Sequence, residues 1–188
     1  MSIIFFDTET TGLPLNYDAP CTDVDNWPRL VQLAWVMDAD DGPSISAGNC
    51  LIRPEGFEIH ERASLVHGIT TERALASGVN IKEALGIFLR CVKASSLIVG
   101  HSVAFDISVV GAECVRVGAP YEWGKPSYCT MLRAIDHCAI PSPYGLKWPK
   151  LQELHSKLFG CEFDNAHNAM SDVTAAAKCY WEMRRLGL

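Results

Sequence analysis

The sequence predicts an α/β domain: one mixed β-sheet with helices on both faces. Two observations carry this reading. Short apolar runs come first and helical patterns follow, in the order β-β-β, then α-β-α and a terminal helix. That is the order of a sheet covered by helices. The first run, Ile3-Ile4-Phe5-Phe6, is apolar on both side-chain faces, as a central strand is when both faces are covered. With 188 residues the chain is long enough for one such domain and too short for two. Residues 1–188 are therefore read as a single domain.

Each element has its own signal. Thr11-Gly12-Leu13-Pro14 breaks the first strand, and Pro14, Asn16, Asp18, Pro20, Asp23, Asn26 and Pro28 punctuate a long loop over 14–28. Leu30 to Val36 reads as a second strand and Cys50 to Arg53 as a third. The turn Asp40-Asp41-Gly42-Pro43 between them suggests an antiparallel pair. Ile81, Ala84, Leu85, Phe88 and Leu89 fall at i, i+3, i+4, i+7 and i+8, an amphipathic helix. Leu97-Ile98-Val99 is a short strand closed by Gly100, and Ile107, Val110, Cys114 and Val117 mark the next helix. Lys150 to Phe159 reads as a helix ending at Gly160, and Ser171 to Leu186 as the last.

Composition excludes several classes. Hydrophobic residues make up 48% and charged residues 20%, which suits a soluble globular protein. No apolar run approaches the ~20 residues of a membrane span. The first residues lack the basic region of a signal peptide, so an intracellular, cytoplasmic setting is expected. Eight cysteines are spread evenly without C-x-x-C or zinc-finger spacing. They read as free thiols packed as small hydrophobes in a reducing compartment. Phosphate loop, dinucleotide fingerprint and zincin motifs are absent.

Net charge is −6, against the basic surface usual for a nucleic-acid binder. The acids concentrate in residues 7–41, whereas 125–157 holds Lys125, Arg133, Lys147, Lys150 and Lys157 against Asp136 and Glu153. That second stretch suits either a phosphate-facing surface or a solvated face.

Five residues suggest chemistry. Asp7 and Glu9 end the first strand two residues apart, and strand periodicity puts both carboxylates on one face. Their repulsion beside an apolar wall is relieved by a divalent cation; a solvated strand end is the plainer alternative. Asp106 follows Gly100-His101-Ser102, where a strand stops and a helix starts near Ser102, a plausible N-cap. The helix dipole there favours an ionised carboxylate, as it does for any acid in a first turn. His167 and Asp172 are five apart; if both were helical they would point roughly 140° apart. They converge if His167 lies in the loop before the helix, with Asn165 and Asn168 as turn or cap residues.

Phe5-Phe6-Asp7-Thr8-Glu9-Thr10-Thr11-Gly12, Gly100-His101 with Phe105-Asp106, and His167 with Asp172 in H-x4-D spacing resemble, in order and interval, the DnaQ-like DEDDh 3′→5′ exonucleases, of RNase H-like fold. The resemblance covers nearly the whole chain, and Val66-His67-Gly68-Ile69-Thr70 resembles the family's segment before the middle helix. It implies an RNase H-like sheet of three antiparallel strands plus parallel ones. It implies two Mg²⁺ or Mn²⁺ ions, with Asp7 bridging both, Glu9 and Asp172 completing one site and Asp106 serving the other. His167 would be the general base, a role imidazole suits near neutral pH. The backbone of Thr10, Thr11, Gly12 and Leu13 would receive the terminal nucleotide. Two departures stand out: Ser102 where the family often has Asn, and Tyr128-Cys129-Thr130 where it often has Asp. Neither removes a metal ligand.

The resemblance implies a hydrolase releasing nucleoside 5′-monophosphates from nucleic acid 3′ ends, with single strands as the expected partner and no membrane. One alternative is an RNA or short-oligonucleotide trimming nuclease. Another is a weakly active proofreading or interaction module working with a polymerase or other protein partner, which the acidic charge motivates. Among the remaining residues, Tyr17 and Trp27 are candidates for stacking on a terminal base, with Trp27 as a core anchor the rival. Lys147 and Lys150, beside Tyr144 and Trp148, are candidates for gripping a backbone. His67 and His101 read as packing or loop hydrogen-bonding residues.

Overall fold

Strand β1 (Ser2–Thr10) runs through the middle of the fold, which the computed structural model describes over residues 2–39 and 44–188. It pairs antiparallel with β2 (Leu30–Ala39), which pairs antiparallel with β3 (Ser44–Leu51). On its other side β1 pairs parallel with β4 (Leu97–Gly100), which pairs parallel with β5 (Ser127–Cys129). The five-stranded order is β3-β2-β1-β4-β5, the expected mixed sheet. The turn expected at Asp40–Pro43 lies outside the described residues.

The period of two along β1 decides which helix lies on which face. Ile4 and Phe6 point to one side, into a core with Leu85 and Phe88 of α3 (Ile81–Ala94) and Val109 and Val110 of α4 (Val103–Val117). Ile3 and Phe5 point to the other, against Val173, Ala177 and Tyr180 of α8 (Ala169–Leu186). Both phenylalanines are fully buried, each worth roughly 1.5–3 kcal/mol by transfer. Phe5 meets Tyr180 edge-on at 5.4 Å between centroids, and Phe6 meets Phe88 at 5.0 Å.

Smaller elements complete the chain. Helices α1 (Glu61–His67) and α2 (Thr71–Ser77) precede α3, and α5 (Thr130–Arg133) and α6 (Ile135–Cys138) follow β5. A hairpin of β6 (Pro141–Ser142) and β7 (Gly145–Leu146) leads to α7 (Leu151–Phe159). The 14–28 segment contains neither helix nor strand, as expected, and is clamped at its end. Buried Glu113 of α4 accepts from Arg29 Nε (2.8 Å), Arg116 Nη1 (2.8 Å) and Leu30 N (3.1 Å). Arg116 in turn donates to the carbonyls of Val24, Trp27 and Pro28.

Some boundaries differ from expectation. The third strand was expected over Cys50–Arg53 but spans Ser44–Leu51. Its first four residues are exposed, so little in Ser44-Ile45-Ser46-Ala47 signals burial. Gly48 is required opposite Trp35, because a Cβ there would lie 2.1 Å from the indole. The last helix begins at Ala169 rather than Ser171. Ser102 does occupy the N-cap of α4, but in left-handed backbone (φ 73°) and without a hydroxyl cap. All eight cysteines are free, and Cys161 alone is exposed. No described helix is long and apolar enough to cross a membrane.

Candidate active site

The face of β1 that carries Ile3 and Phe5 continues into Asp7 and Glu9. Both therefore emerge toward the start of α8, where Asp172 sits in the first turn. Asp7, Glu9 and Asp172 each bring a carboxylate oxygen within 4.8 Å of the others. Thr8 points to the opposite face, and there its N–H (3.1 Å) and hydroxyl (2.7 Å) both donate to Asp106 Oδ1 of α4. Asp106 is buried, 2% exposed. It stands beside the trio without belonging to the same close cluster. Both helices thus deliver a carboxylate to one strand end, where neighbouring β1, β4 and β5 are parallel and finish on a common edge.

His167 lies before α8, in left-handed backbone (φ 65°), and its N–H donates to Asp172 Oδ2 at 2.9 Å. The helix begins only after Asn168, whose side chain caps Met170 N at 3.2 Å. The loop placement expected of His167 is thus what lets it approach Asp172. A non-glycine residue at positive φ costs of order 1 kcal/mol or more, so something must hold it. Asn165, also at positive φ (58°), helps form this turn. Ala169 N donates to Gln32 Oε1 (3.4 Å), and Gln32 faces Glu9 across the β1–β2 ladder.

The four acids in this space give up their protons reluctantly. Burial, then the charges of Asp106, Asp172 and Glu9, push Asp7 well above the ordinary carboxylate range. Burial and the Asp172 and Asp106 charges raise Glu9 to about 8. Burial raises Asp106 to about 7 against the two opposing hydrogen bonds from Thr8. Burial raises Asp172 to about 6, opposed by the His167 N–H and charge. Such a set is an all-oxygen donor group short of positive charge, which fits a hard divalent cation.

A cavity of about 950 Å³ opens beside the acids and is lined by Glu9, Thr10, Thr11, Gly12 and Leu13 on one side and Val66 and His67 on the other. A second, of about 620 Å³, lies against His167, Asn168 and Asn49. His67 lines both. Its Nδ1 accepts from Ile69 N at 3.1 Å, and burial lowers its pKa, which leaves a proton on Nε2. The Thr10 carbonyl acts on that proton electrostatically, but Nε2 forms no well-aligned hydrogen bond.

The structure therefore gathers Asp7, Glu9, Asp172 and His167, sets Asp106 beside them, and places Thr10–Leu13 on the adjoining cavity. Two residues escaped sequence reasoning. Thr8 looks like filler between two acids, although its strand parity already aims it at the opposite helix. His67 reads as packing, and only the folded chain shows it lining both cavities. Trp27 is a core anchor, 4% exposed and donating from Nε1 to Pro20 O, so the base-stacking expectation for it is corrected. Tyr17 is 60% exposed and approaches Phe105 at 6.4 Å. Of the basic stretch, Lys125 is engaged with the carbonyls of Lys93 and Ser95, and Lys147 is paired with Glu153 at 2.6 Å.

Comparison with known proteins adds three findings. The RNase T family model, described as "Exonuclease", matches residues 4–180. A search of curated proteins gives no significant match. Among solved structures, E. coli exonuclease I in complex with a dT13 oligonucleotide is 22% identical, with TM-score 0.76, covering 99% of this chain and 42% of that one. The zinc-bound form of the E. coli exonuclease I–single-stranded DNA complex is also 22% identical, with TM-score 0.77, covering 98% and 40%. These likenesses establish an RNase H-like α/β fold. The chain spans about two fifths of the exonuclease I chains it resembles.

Proposed function

The chain belongs to the DnaQ-like 3′→5′ exonuclease family, and from that premise we propose that it hydrolyses the last phosphodiester at nucleic acid 3′ ends, releasing nucleoside 5′-monophosphates. The observation that carries the reading is the meeting of Asp7, Glu9 and Asp172 within 4.8 Å, beside a cavity large enough for a nucleotide. The donor set suits Mg²⁺ or Mn²⁺: Asp7, Glu9 and Asp172 would hold one ion, and Asp7 with Asp106 would hold a second. Bound cations supply activation of water and neutralisation of charge at the phosphate.

The chain's own residues do the rest. The backbone of Thr10 to Leu13 orients the terminal nucleotide in the larger cavity, which the His67 imidazole helps to wall. His167 accepts a proton from the attacking water as the water oxygen bonds to phosphorus; the bond to the 3′-oxygen of the preceding nucleotide breaks, and that oxygen takes a proton from solvent to become the new 3′-hydroxyl. The left-handed backbone at His167 and its N–H bond to Asp172 keep the imidazole next to the acids. Thr8 holds Asp106 in register. Since exonuclease I is solved with single-stranded DNA, a single DNA strand is the first substrate to try; RNA and short oligonucleotides are its rivals.

The test is digestion of 5′-labelled DNA and RNA oligonucleotides of matched sequence with Mg²⁺ or Mn²⁺. A ladder shortening from the 3′ end is expected, abolished by EDTA and by Asp7→Ala. His167→Ala should lower kcat by about 100-fold or more while cation binding persists. Undiminished digestion by Asp7→Ala would remove the assignment. A second reading, favoured by the net charge of −6, is a weakly active module that relies on a polymerase or other partner to capture its strand. Digestion confined to a mixture with such a partner would select it.

A further inference from the structure

The hairpin β6–β7 has no part in the chemistry above, yet it carries an unusual cost. Tyr144 at its tip is 99% exposed, Trp148 just after it 64% and Leu146 44%. Among the described residues neither Tyr144 nor Trp148 makes a ring contact. Apolar ring surface left in water contributes nothing to folding. A two-stranded hairpin is also marginal by itself, so this one must be held from its ends.

It is. Ser142 Oγ donates to Gly145 O at 2.9 Å and accepts from Tyr144 N at 3.3 Å, closing the turn. Lys147 N donates to Ile140 O at 3.0 Å, and Lys147 Nζ pairs with Glu153. The anchor is Pro149, whose buried carbonyl is 3.0 Å from His101 Nε2. A carbonyl only accepts, so Nε2 carries the proton, and Nδ1 meets the Thr130 hydroxyl at 3.0 Å. His101 directly follows β4 and stands five residues before Asp106. The base of the hairpin, next to Trp148, is thereby fastened to the strand edge on which the acids lie.

The side of that edge matters. The sheet order is β3-β2-β1-β4-β5. Helix α1, which lines the nucleotide-sized cavity, packs through Ala63 beside Val31 of β2 and Leu51 of β3. The hairpin is tied to the end of β4 and to Thr130 after β5. The acids of β1 stand between. A strand with its 3′ nucleotide in the cavity and its scissile phosphate at the acids would leave toward β4 and β5, the side to which the end of the hairpin is fastened.

We propose that Tyr144 and Trp148 form a stacking platform for bases of a single strand upstream of the scissile bond, with the exposed ammonium of Lys150 beside its backbone. The occupant is single-stranded nucleic acid because the platform is tied to the active-site edge and its net charge, Lys147 and Lys150 against Glu153, is cationic. Stacking tolerates any base, since every base has a π-face. The inference rests on the exonuclease reading for the direction of the strand.

The experiment measures anisotropy of a labelled dT12 in Ca²⁺ with the full chain and with Tyr144→Ala, Trp148→Ala and the double variant. In parallel, KM is measured for dT12 and for a dinucleotide. Each single change should raise Kd for dT12 at least about fivefold, and KM for dT12 should follow. KM for the dinucleotide, too short to reach the hairpin, should not move. Quenching of tryptophan fluorescence by dT12 should diminish in Trp148→Ala. Both residues are exposed, so melting temperatures should match the parent and exclude misfolding. Unchanged Kd in the double variant overturns the platform, whatever the enzyme does. So does a concentration-dependent dimer abolished by Trp148→Ala with dT12 binding intact, since the rings would then face a second copy. Tight, platform-dependent binding by a parent that releases no mononucleotide would sustain the platform and defeat the exonuclease assignment alone.

Discussion

Asp7 is a residue that folding alone would not choose. It and its three acidic neighbours are held where each raises the cost of ionising the next. The sign of the consequence follows from proton counting. In the folded chain Glu9 keeps its proton to about 8 and Asp106 to about 7. Unfolded carboxylates release theirs near 4. Between those limits the folded state binds more protons, so stability is greatest at acid pH and falls as pH rises through about 8. Without cations we expect the melting temperature to drop by about 5–10 °C between pH 5 and pH 8.5. Mg²⁺ or Mn²⁺ should restore it more at pH 8.5 than at pH 5, and Asp7→Asn should flatten the slope while abolishing turnover. A pH-independent melt in EDTA would contradict the crowding described. At this scale much was legible: strand parity pairs Asp7 with Glu9, and the H-x4-D interval demands a loop at His167. Thr8 and the place of His67 between two cavities were not, because a hydroxyl's partner and a cavity wall are properties of three-dimensional neighbours.

Elements were legible in proportion to their burial and length. The central strand announces itself because both its faces are covered. The edge strand β3 does not, since its exposed half, Ser44-Ile45-Ser46-Ala47, holds one large apolar residue and its Gly48 serves a close approach to Trp35. Helices α1 and α2 have seven residues each, too few to establish a 3.6-residue period. The 14–28 segment read correctly as a loop, but its clamp did not, because Glu113 and Arg29 are 84 positions apart. That clamp carries a prediction. Glu113 is 1% exposed and receives two guanidinium groups and a backbone N–H. Glu113→Ala leaves those donors facing each other without their buried carboxylate and should cost about 3–5 kcal/mol, read as a lower urea midpoint at unchanged slope. Because Thr11 and Arg29 exchange hydrogen bonds at the mouth of the loop (3.0 Å each), KM should also rise. A loss below about 1 kcal/mol would show that the loop is held by its own packing.

For the molecule as a whole, the order of apolar and helical segments already indicated a mixed sheet with two covered faces. Strand order was beyond reach, because β5 has three residues and little hydrophobic signal. The net charge of −6 sets the terms of binding. With Lys125 and Lys147 engaged within the protein, few free cations meet phosphates. Neutralising each phosphate of a single strand contributes about 0.7 to the slope of log affinity against log salt. We expect a shallow slope, below about 3 in magnitude, measured with dT12 in Ca²⁺ between low and physiological salt. A steep slope would point to an electrostatic track in place of stacking and cation-mediated contact.

The distribution of sulfur has a practical side. Cys161, alone among eight thiols in being exposed, stands just after α7, on the stretch that leads to His167. Its carbonyl is anchored by His155 Nδ1 at 2.8 Å, so the residue is fixed at one end of that stretch and open to solvent. A maleimide fluorophore under limiting reagent would therefore label this position first. The chain comes supplied with its own attachment point for an optical reporter on the segment that leads to His167, and strand engagement could be followed in real time without engineering a cysteine.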